Sequence, residues 1–396
     1  MSDSHAFRAA LHTRCAHIST HAEGEAGSSL MLPIVQSSLF RLGQPDEADA
    51  LFDGTRQGYA YTRFGNPTVD ALASALALLE GGKDAVVTAS GNAAVLTALL
   101  IARSGNPRPV LAHPDLYGGS CELLNLFARE FQIPVEWCDP TDRKAWHRAI
   151  TRSSVVLIET PSNPLWRLID IEATASLAHA AGAVLVVDNT VATPFNQSPL
   201  TLGADYVIHS TSKFLNGHSD MIGGCVISRE SFRPEHRSIH KNIGATINAM
   251  DAWLILRGLR TFALRMEAHN RNAAAVAQWL HHRPEVSKVH HPSLSHEEEY
   301  TLFEQQMTGG CPVLSFELQD GDQAARDFLG KLKLVVHGVS LGGMESLATR
   351  PAATSHRGMS THERRRAGIS DGLVRLSVGT ESLPDLLADL EQALSA

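Results

Sequence analysis

Five short apolar runs, each closing on polar residues, constrain the fold of this chain more than any other feature. They are Asp84 to Ala89, Val110 to His113, Val155 to Glu159, Ala183 to Asp188 and Tyr206 to Ile208. Helical patterns lie between and before them. Val69 to about Leu79 carries Leu72, Leu76 and Leu79 on one face, another helix opens at Ser90-Gly91-Asn92, and a third covers Ile171 to Ala180. Strands that are apolar at nearly every position must be covered on both faces, and alternating helices do this for a parallel sheet. The fold class is therefore α/β with a mostly parallel central sheet. Ligands of such sheets sit beyond the carboxyl ends of the strands. Tyr117, Glu159, Asn163, Asp188, Ser210, Ser212 and Lys213 all fall at or just after those ends.

The flanks read differently. Pro33, Gly43, Pro45, Gly54 and Gly58 punctuate residues 1–60. An irregular arm is expected there, packing on another part of the assembly rather than on itself. Thr68 is the expected N-cap of the helix that follows, and Gly81-Gly82 its stop. From about residue 256 the pattern changes to a long amphipathic segment, Arg257 to Leu280. Strand-like runs follow at Val313 to Leu318 and Lys333 to His337, then a helix from Leu383 to Leu394. This is the pattern of a smaller α+β domain. The expected division is an arm (1–60), a ligand-binding domain (61–255) and a C-terminal domain (256–396).

Several classes of function are disfavoured. A net charge of −8 leaves no basic footprint for nucleic acid. No run of about 18 apolar residues is present, so no membrane span is expected. The polar, His-rich N-terminus lacks the apolar core of a secretory signal. Cys15, Cys121, Cys138, Cys225 and Cys311 show no CxxC spacing and read as reduced thiols of a cytoplasmic protein. The 20 histidines are spread out, with adjacent pairs at His281-His282 and His290-His291 and no HExxH, so no metal site is expected. No GxGxxG follows the first strand, which argues against a nicotinamide site.

Lys213 ends a hydroxyl-rich stretch, Ser210-Thr211-Ser212, that follows a buried strand. Alone, such a lysine is ordinarily a surface residue of a βα loop. A desolvated lysine has a lowered pKa and can form a Schiff base with an aldehyde. The neighbouring strand ends supply the rest of a pyridoxal phosphate (PLP) site. Asp188 suits a protonated pyridine nitrogen, or else caps the next turn. The Gly91 and Asn92 N–H groups at a helix N-terminus, with the Ser210 and Ser212 hydroxyls, suit a phosphate. Tyr117 suits stacking on the ring, or else is a core or rim tyrosine.

Eight motifs occur in a fixed order: Tyr61-Thr-Arg-Phe-Gly-Asn-Pro-Thr68, Ser90-Gly91, Asp115-Leu-Tyr-Gly-Gly119, Glu159-Thr-Pro-Ser-Asn163-Pro, Val187-Asp188-Asn-Thr190, Ser210-Thr-Ser-Lys213, Ser340-Leu-Gly-Gly343 and Arg375-Leu-Ser-Val-Gly379. Together they resemble the cystathionine/methionine-metabolism (trans-sulfuration) family of PLP enzymes, from about residue 30 to the C-terminus. The resemblance implies the aspartate-aminotransferase-like fold (fold type I) and a homotetramer built from two tight dimers. It makes Lys213 the cofactor lysine, base and proton shuttle, Asp188 the pyridine partner, and Tyr117 the stacking ring and general acid. Tyr61 and Arg63 resemble a phosphate-binding pair donated by the neighbouring subunit. Arg375 resembles the grip on the substrate α-carboxylate, Ser340 lies where the family helps bind that carboxylate and the lysine, and Asn163 is a third expected substrate contact.

The implied reaction is γ-elimination from a homoserine-, methionine- or cystathionine-like L-amino acid, giving a 2-oxo acid and ammonia. γ-Replacement on an O-acyl-L-homoserine and cystathionine β-lyase chemistry stay open as alternatives. Ala60 stands where cystathionine-handling relatives often carry an acid for the distal ammonium. Gly119 replaces a cysteine characteristic of methionine γ-lyase and is expected to leave space there. His240-Lys241-Asn242 occupies the area of that enzyme's Lys-Asp pair, and Glu345 fits every alternative. Binding of the cofactor without turnover is disfavoured, because Arg375 and Tyr117 serve substrate.

Overall fold

The computed structural model describes residues 10–18, 29–294 and 297–395; the remainder of the expected arm, 1–9 and 19–28, lies outside them. Seven strands form the first sheet: β1 (Asp84–Thr88), β2 (Val110–Ala112), β3 (Val135–Trp137), β4 (Val155–Glu159), β5 (Val184–Asp188), β6 (Tyr206–His209) and β7 (Gly224–Ser228). Their order is β1-β7-β6-β5-β4-β2-β3. Strands β2 to β6 run parallel, and β7 is antiparallel to β6 and β1. One face packs on a cluster holding Leu76, Val187 and Phe262, the other on one holding Leu99, Phe127 and Val186. Burial from both sides is why the strand runs are continuously apolar. β3 is short and only partly buried. β7 begins at Gly224, where a Cβ would lie 2.3 Å from the Ser90 carbonyl. Neither advertises itself by pattern.

The second sheet holds β8 (Val286–His290), β9 (Val313–Leu318), β10 (Val336–His337), β11 (Leu347–Thr349) and β12 (Leu373–Ser377), in the order β10-β11-β12-β9-β8. Its core is built on Phe316, Phe328 and Leu390. β9 and the helix Leu383–Leu394 lie where the sequence puts them. The expected strand over Lys333–His337 shrinks to β10. The Lys333, Leu334 and Val335 N–H groups donate to the Asp389 carboxylate instead of to a strand. The expected helix over Arg257–Leu280 is two helices, Ala249–Leu259 and Phe262–His281, turned at Arg260-Thr261.

The arm is more regular than expected. Residues 10–16 and Pro45–Phe52 are helical. Leu11, Cys15 and Ile18 are buried in the cluster that holds Leu76 and Phe262. Their helical spacing gives one apolar stripe, so this part of the arm packs on its own chain. Leu39 and Phe52 remain exposed. The helix Pro67–Glu80 is capped by Asn66 rather than Thr68. Asn66 Oδ1 accepts the Thr68 N–H at 2.9 Å, and Pro67 takes the first helical position, where no N–H is needed. Thr68 Oγ1 instead accepts the Val35 N–H at 2.9 Å and ties the arm down. Gly81 ends the helix in the left-handed region, at φ +74°.

Candidate active site

β6 delivers Ser210 and the turn to Lys213 at the carboxyl edge of the first sheet. Lys213 Nζ donates to Ser340 Oγ at 2.7 Å, and Arg375 Nη2 donates to the Ser340 carbonyl at 2.6 Å. One loop residue thus joins the lysine to an arginine on β12. Ser340 holds φ +92°, a conformation costing a non-glycine residue about 1–3 kcal/mol. Gly342, at φ +87°, lets the same loop lie on the Lys213-Phe214 backbone; a Cβ there would meet Phe214 N at 2.5 Å. Burial, and then the Arg375 charge, pull the Lys213 amine down from its ordinary 10.5 to about 8. Arg375 is 4% exposed, and burial pulls it down to about 10. Its Nε has no protein partner, a buried donor that a bound carboxylate would satisfy.

Asp188 and Glu159 stand side by side at the ends of β5 and β4. The Thr190 N–H and hydroxyl donate to Asp188 Oδ1 at 3.0 and 2.6 Å, and Thr190 Oγ1 accepts the Ser210 N–H at 2.9 Å. Burial pushes both carboxyls up. The Thr190 bonds and then His209 pull Asp188 back, whereas the Asp188 charge pushes Glu159 further. Of the pair, Glu159 is therefore pushed further towards its protonated form. It accepts the Tyr117 N–H at 2.7 Å and so anchors the backbone from which that ring projects. Its own N–H donates to His113 Nε2 at 3.0 Å, an imidazole that burial pushes down to about 3 and so keeps neutral. Tyr117 is 47% exposed.

Ser90 caps the helix Gly91–Arg103, its Oγ accepting the Ala93 N–H at 3.1 Å. A Cβ on Gly91 would lie 2.9 Å from Ser210 Cβ. The bare helix N-terminus and Ser210 therefore share one cradle, whose open N–H groups suit a phosphate. The Asn92 side chain turns to the Gly119 carbonyl, at 3.3 Å. The Ser212 hydroxyl is engaged with Gly223, accepting its N–H at 2.9 Å. Asn163 is 5% exposed, and its Oδ1 is buried without a partner. An accessible amine, a buried acid, an exposed ring and a glycine-lined cradle fit PLP.

Tyr61 and Arg63 lie apart from this cluster. Arg63 Nη1 donates to the Lys241 carbonyl at 3.1 Å, and its guanidinium lies 4.9 Å from the Phe64 ring centre. Lys241 Nζ lies over the same ring at 5.0 Å. His240-Lys241-Asn242 thus belongs to a helix, Pro234–Ile243, that supports the Tyr61–Phe64 segment. Tyr61 and Arg63 line a cavity of about 320 Å³ with Ser37, Asn66 and Thr246. The Tyr117 ring lies over Gly119, with Cε1 2.5 Å from where a Cβ would be, and Gly119 also lines an open cavity of about 470 Å³ with Asn92, Glu122 and Arg129. Glu345 accepts the Ser219 hydroxyl at 2.5 Å. His356, which no spacing marks in the sequence, is 7% exposed. Burial, then Arg375 and Arg364, push it down to about 4.

Comparison with known proteins places these residues in a family. The model of the Cys/Met metabolism PLP-dependent enzymes matches residues 12–395. An L-methionine gamma-lyase of Pseudomonas putida is 39% identical over 374 residues, 93% of this chain and 94% of that protein. A cystathionine gamma-synthase of Escherichia coli is 43% identical over 343 residues, 86% of this chain and 88% of that protein. The crystal structure of cystathionine gamma synthase from Xanthomonas oryzae pv. oryzae, in complex with cystathionine, superposes with a TM-score of 0.89 at 38% identity, covering 97% of both chains. The fold is that of the type I PLP enzymes. With the family match spanning nearly the whole chain and a relative of 39% identity covered almost end to end, this protein belongs to the Cys/Met metabolism PLP-dependent enzyme family.

Proposed function

We propose that this enzyme catalyses γ-elimination from a homoserine-, methionine- or cystathionine-like L-amino acid, releasing a 2-oxo acid and ammonia. The observation that carries this is the Lys213–Ser340–Arg375 line. It holds an amine whose pKa is lowered to about 8 beside a guanidinium with a free buried donor. Lys213 would hold PLP covalently, Asp188 its pyridine nitrogen, and Gly91, Asn92, Ser210 and Ser212 its phosphate. Tyr117 would cover the ring, and Tyr61 and Arg63 of a neighbouring subunit would complete the phosphate site. When bound, the cofactor supplies an electron sink for charge developing at the α-carbon. Arg375 grips the α-carboxylate, with Ser340 and Asn163 beside it, and so turns the α-hydrogen towards Lys213. Lys213 Nζ, held by Ser340 Oγ, takes that proton and, once it has passed it on, removes one from the β-carbon, whose electron pair then expels the γ-substituent. Tyr117, facing the open side near Arg375, gives a proton to the leaving group.

γ-Replacement on an O-acyl-L-homoserine is the second reading, and the 43% identity to a cystathionine gamma-synthase supports it. A substrate panel separates the two. 2-Oxobutanoate and ammonia formed without an added thiol support elimination, and a product that requires a thiol supports replacement. Pyruvate would point to β-lyase chemistry, and no product from a cofactor-loaded enzyme would sink both readings.

We further assign the chain to an arm (1–60), a cofactor domain (61–255) and a C-terminal domain (256–396), assembled as a homotetramer of two dimers in the cytoplasm. The exposed Leu39, Phe52 and Phe64 support a subunit contact along the arm. All five cysteines are free, as in a reducing compartment. No helix among the described residues is long and apolar enough to cross a membrane.

A further inference from the structure

Behind the cofactor cradle, a run of polar side chains passes through the core. Glu80, the last residue of the helix Pro67–Glu80, has Oε1 at 2.5 Å from His209 Nε2 and accepts Asn189 Nδ2 at 2.8 Å. Gln197 Nε2 donates to Asn189 Oδ1 at 2.9 Å and to the Thr160 carbonyl at 2.7 Å. Gln197 Oε1 accepts Gln306 Nε2 at 3.0 Å, and Gln306 Oε1 accepts the Ile171 N–H at 2.9 Å. None of the five side chains belongs to a residue more than 7% exposed. Their surroundings are aliphatic, including Leu76, Val187 and Val207.

Burying five polar side chains is unfavourable even with most of their bonds used, the more so because Glu80 Oε2 and His209 Nδ1 have no partner, and apolar side chains of equal volume often fill such space as stably. The placement of the anchors gives the polar choice a purpose. His209 immediately precedes Ser210 on β6. Asn189 immediately follows Asp188 on β5. Thr160 opens the turn after β4 that carries Asn163. His209 also acts on Asp188 itself, pulling its carboxyl back down. Directional bonds fix the relative height of three strand ends, which apolar packing alone does less well.

We propose that Glu80, His209, Asn189, Gln197 and Gln306 form a buried positioning chain that sets the strand ends bearing Lys213, Asp188 and Asn163, and so sets cofactor affinity. This rests on the reading of those ends as the PLP site. The test is a double-mutant cycle on Asn189→Leu and Gln197→Met. The apoprotein is titrated with PLP by visible absorption, and its thermal midpoint is measured in parallel. Each single variant is expected to weaken PLP binding about tenfold and to shift the bound absorption band. The double variant should weaken binding no more than the worse single one, because one chain is broken once. Unchanged PLP affinity with a lowered thermal midpoint would make the chain merely structural, and multiplicative effects would make the two residues independent; either overturns the proposal. Gln306→Met, at the far end, guards against misfolding. It should weaken PLP binding by about two- to threefold, and an unaltered affinity in a folded Gln306→Met protein also counts against the chain. Wild-type protein that takes up no PLP would instead overturn the functional reading.

Discussion

The Lys213 edge of the first sheet and the Tyr61–Phe64 segment are both read as cofactor-binding, yet one chain finishes only the first. At the Lys213 edge the partners come from both sheets and meet at 2.6 to 2.7 Å. Arg375 there is 4% exposed, whereas Tyr61 is 39% and Phe64 47% exposed. Arg63 has a carbonyl and ring faces for company rather than an acid. Two cations held on one serine, one of them a buried guanidinium with a donor to spare, are positioned by the chain's own packing and left open to an anionic ligand. A cationic, aromatic segment left partly exposed is open to an anion from outside its own chain, which is the reading proposed for Tyr61 and Arg63.

The largest break in that comparison comes from Lys213→Ala. It removes the cofactor's covalent anchor and the base together, and turnover should fall by roughly 10⁴-fold or more. The check is kcat on the preferred substrate, with borohydride trapping of PLP as the second readout. A variant that still fixes PLP covalently and turns over normally would move the site to another lysine.

Arg375→Ala comes next. Losing a buried, charged clamp costs about 2–5 kcal/mol of substrate interaction, on the order of 10²-fold or more in kcat/KM. It should also change Lys213. The unprotonated amine is the form that captures PLP, and its pKa is lowered, so capture by wild-type apoprotein should rise with pH through a midpoint near 8 rather than 10.5. Arg375 is the second cause of that lowering, so its removal should move the midpoint upward. An unmoved midpoint would leave burial as the whole cause.

Mixing tests the unfinished half. Arg63→Ala and Lys213→Ala subunits, each inactive alone, should regain about a quarter of wild-type activity after random exchange into dimers, since half the dimers are hybrid and each has one intact site. No recovery after proven exchange would return Arg63 to its own chain's service.

The parallel strands β2, β4, β5 and β6 and the residues at their ends were legible because both follow from local pattern, whereas the half-exposed β3 was not. Tyr117, Asp188, Ser210 and Lys213 each close or follow an apolar run, and burial on both sheet faces enforces that run. Arg375 and Ser340 had no such signal from periodicity and were reached only through the eight-motif resemblance. The chain from Glu80 to Gln306 was illegible because its members are 226 residues apart at the extremes and look like ordinary polar residues within helices and turns. The helical Leu11–Cys15 stripe was missed because Pro33, Gly43, Pro45, Gly54 and Gly58 governed the reading of the whole arm. Gly119 was legible only in part: the ring that lies over it belongs to Tyr117, two residues earlier, and only rotamer geometry reveals that.

The smallest effect, and the sharpest probe of where the two regions meet, is expected at Ala60. Its carbonyl accepts the Phe40 N–H at 3.1 Å, and Leu39 bridges to Tyr61, so Ala60 is fixed to the Tyr61–Arg63 segment. If that segment reaches a neighbour's cofactor, Ala60 goes with it and faces the distal part of the substrate. Alanine offers no acid there. A distal ammonium such as that of cystathionine then forgoes about 1–3 kcal/mol of charged hydrogen bonding, roughly ten- to a hundredfold. Ala60→Glu should raise kcat/KM for cystathionine relative to a smaller γ-substituted amino acid, by about tenfold at least. Both substrates must be measured in both proteins, because a general loss of activity lowers the two values together and leaves the ratio alone. A wild type that already prefers cystathionine widely, or a ratio that Ala60→Glu does not move, would take Ala60 out of the substrate's path and detach specificity from the arm, while leaving the Lys213–Arg375 half as it stands.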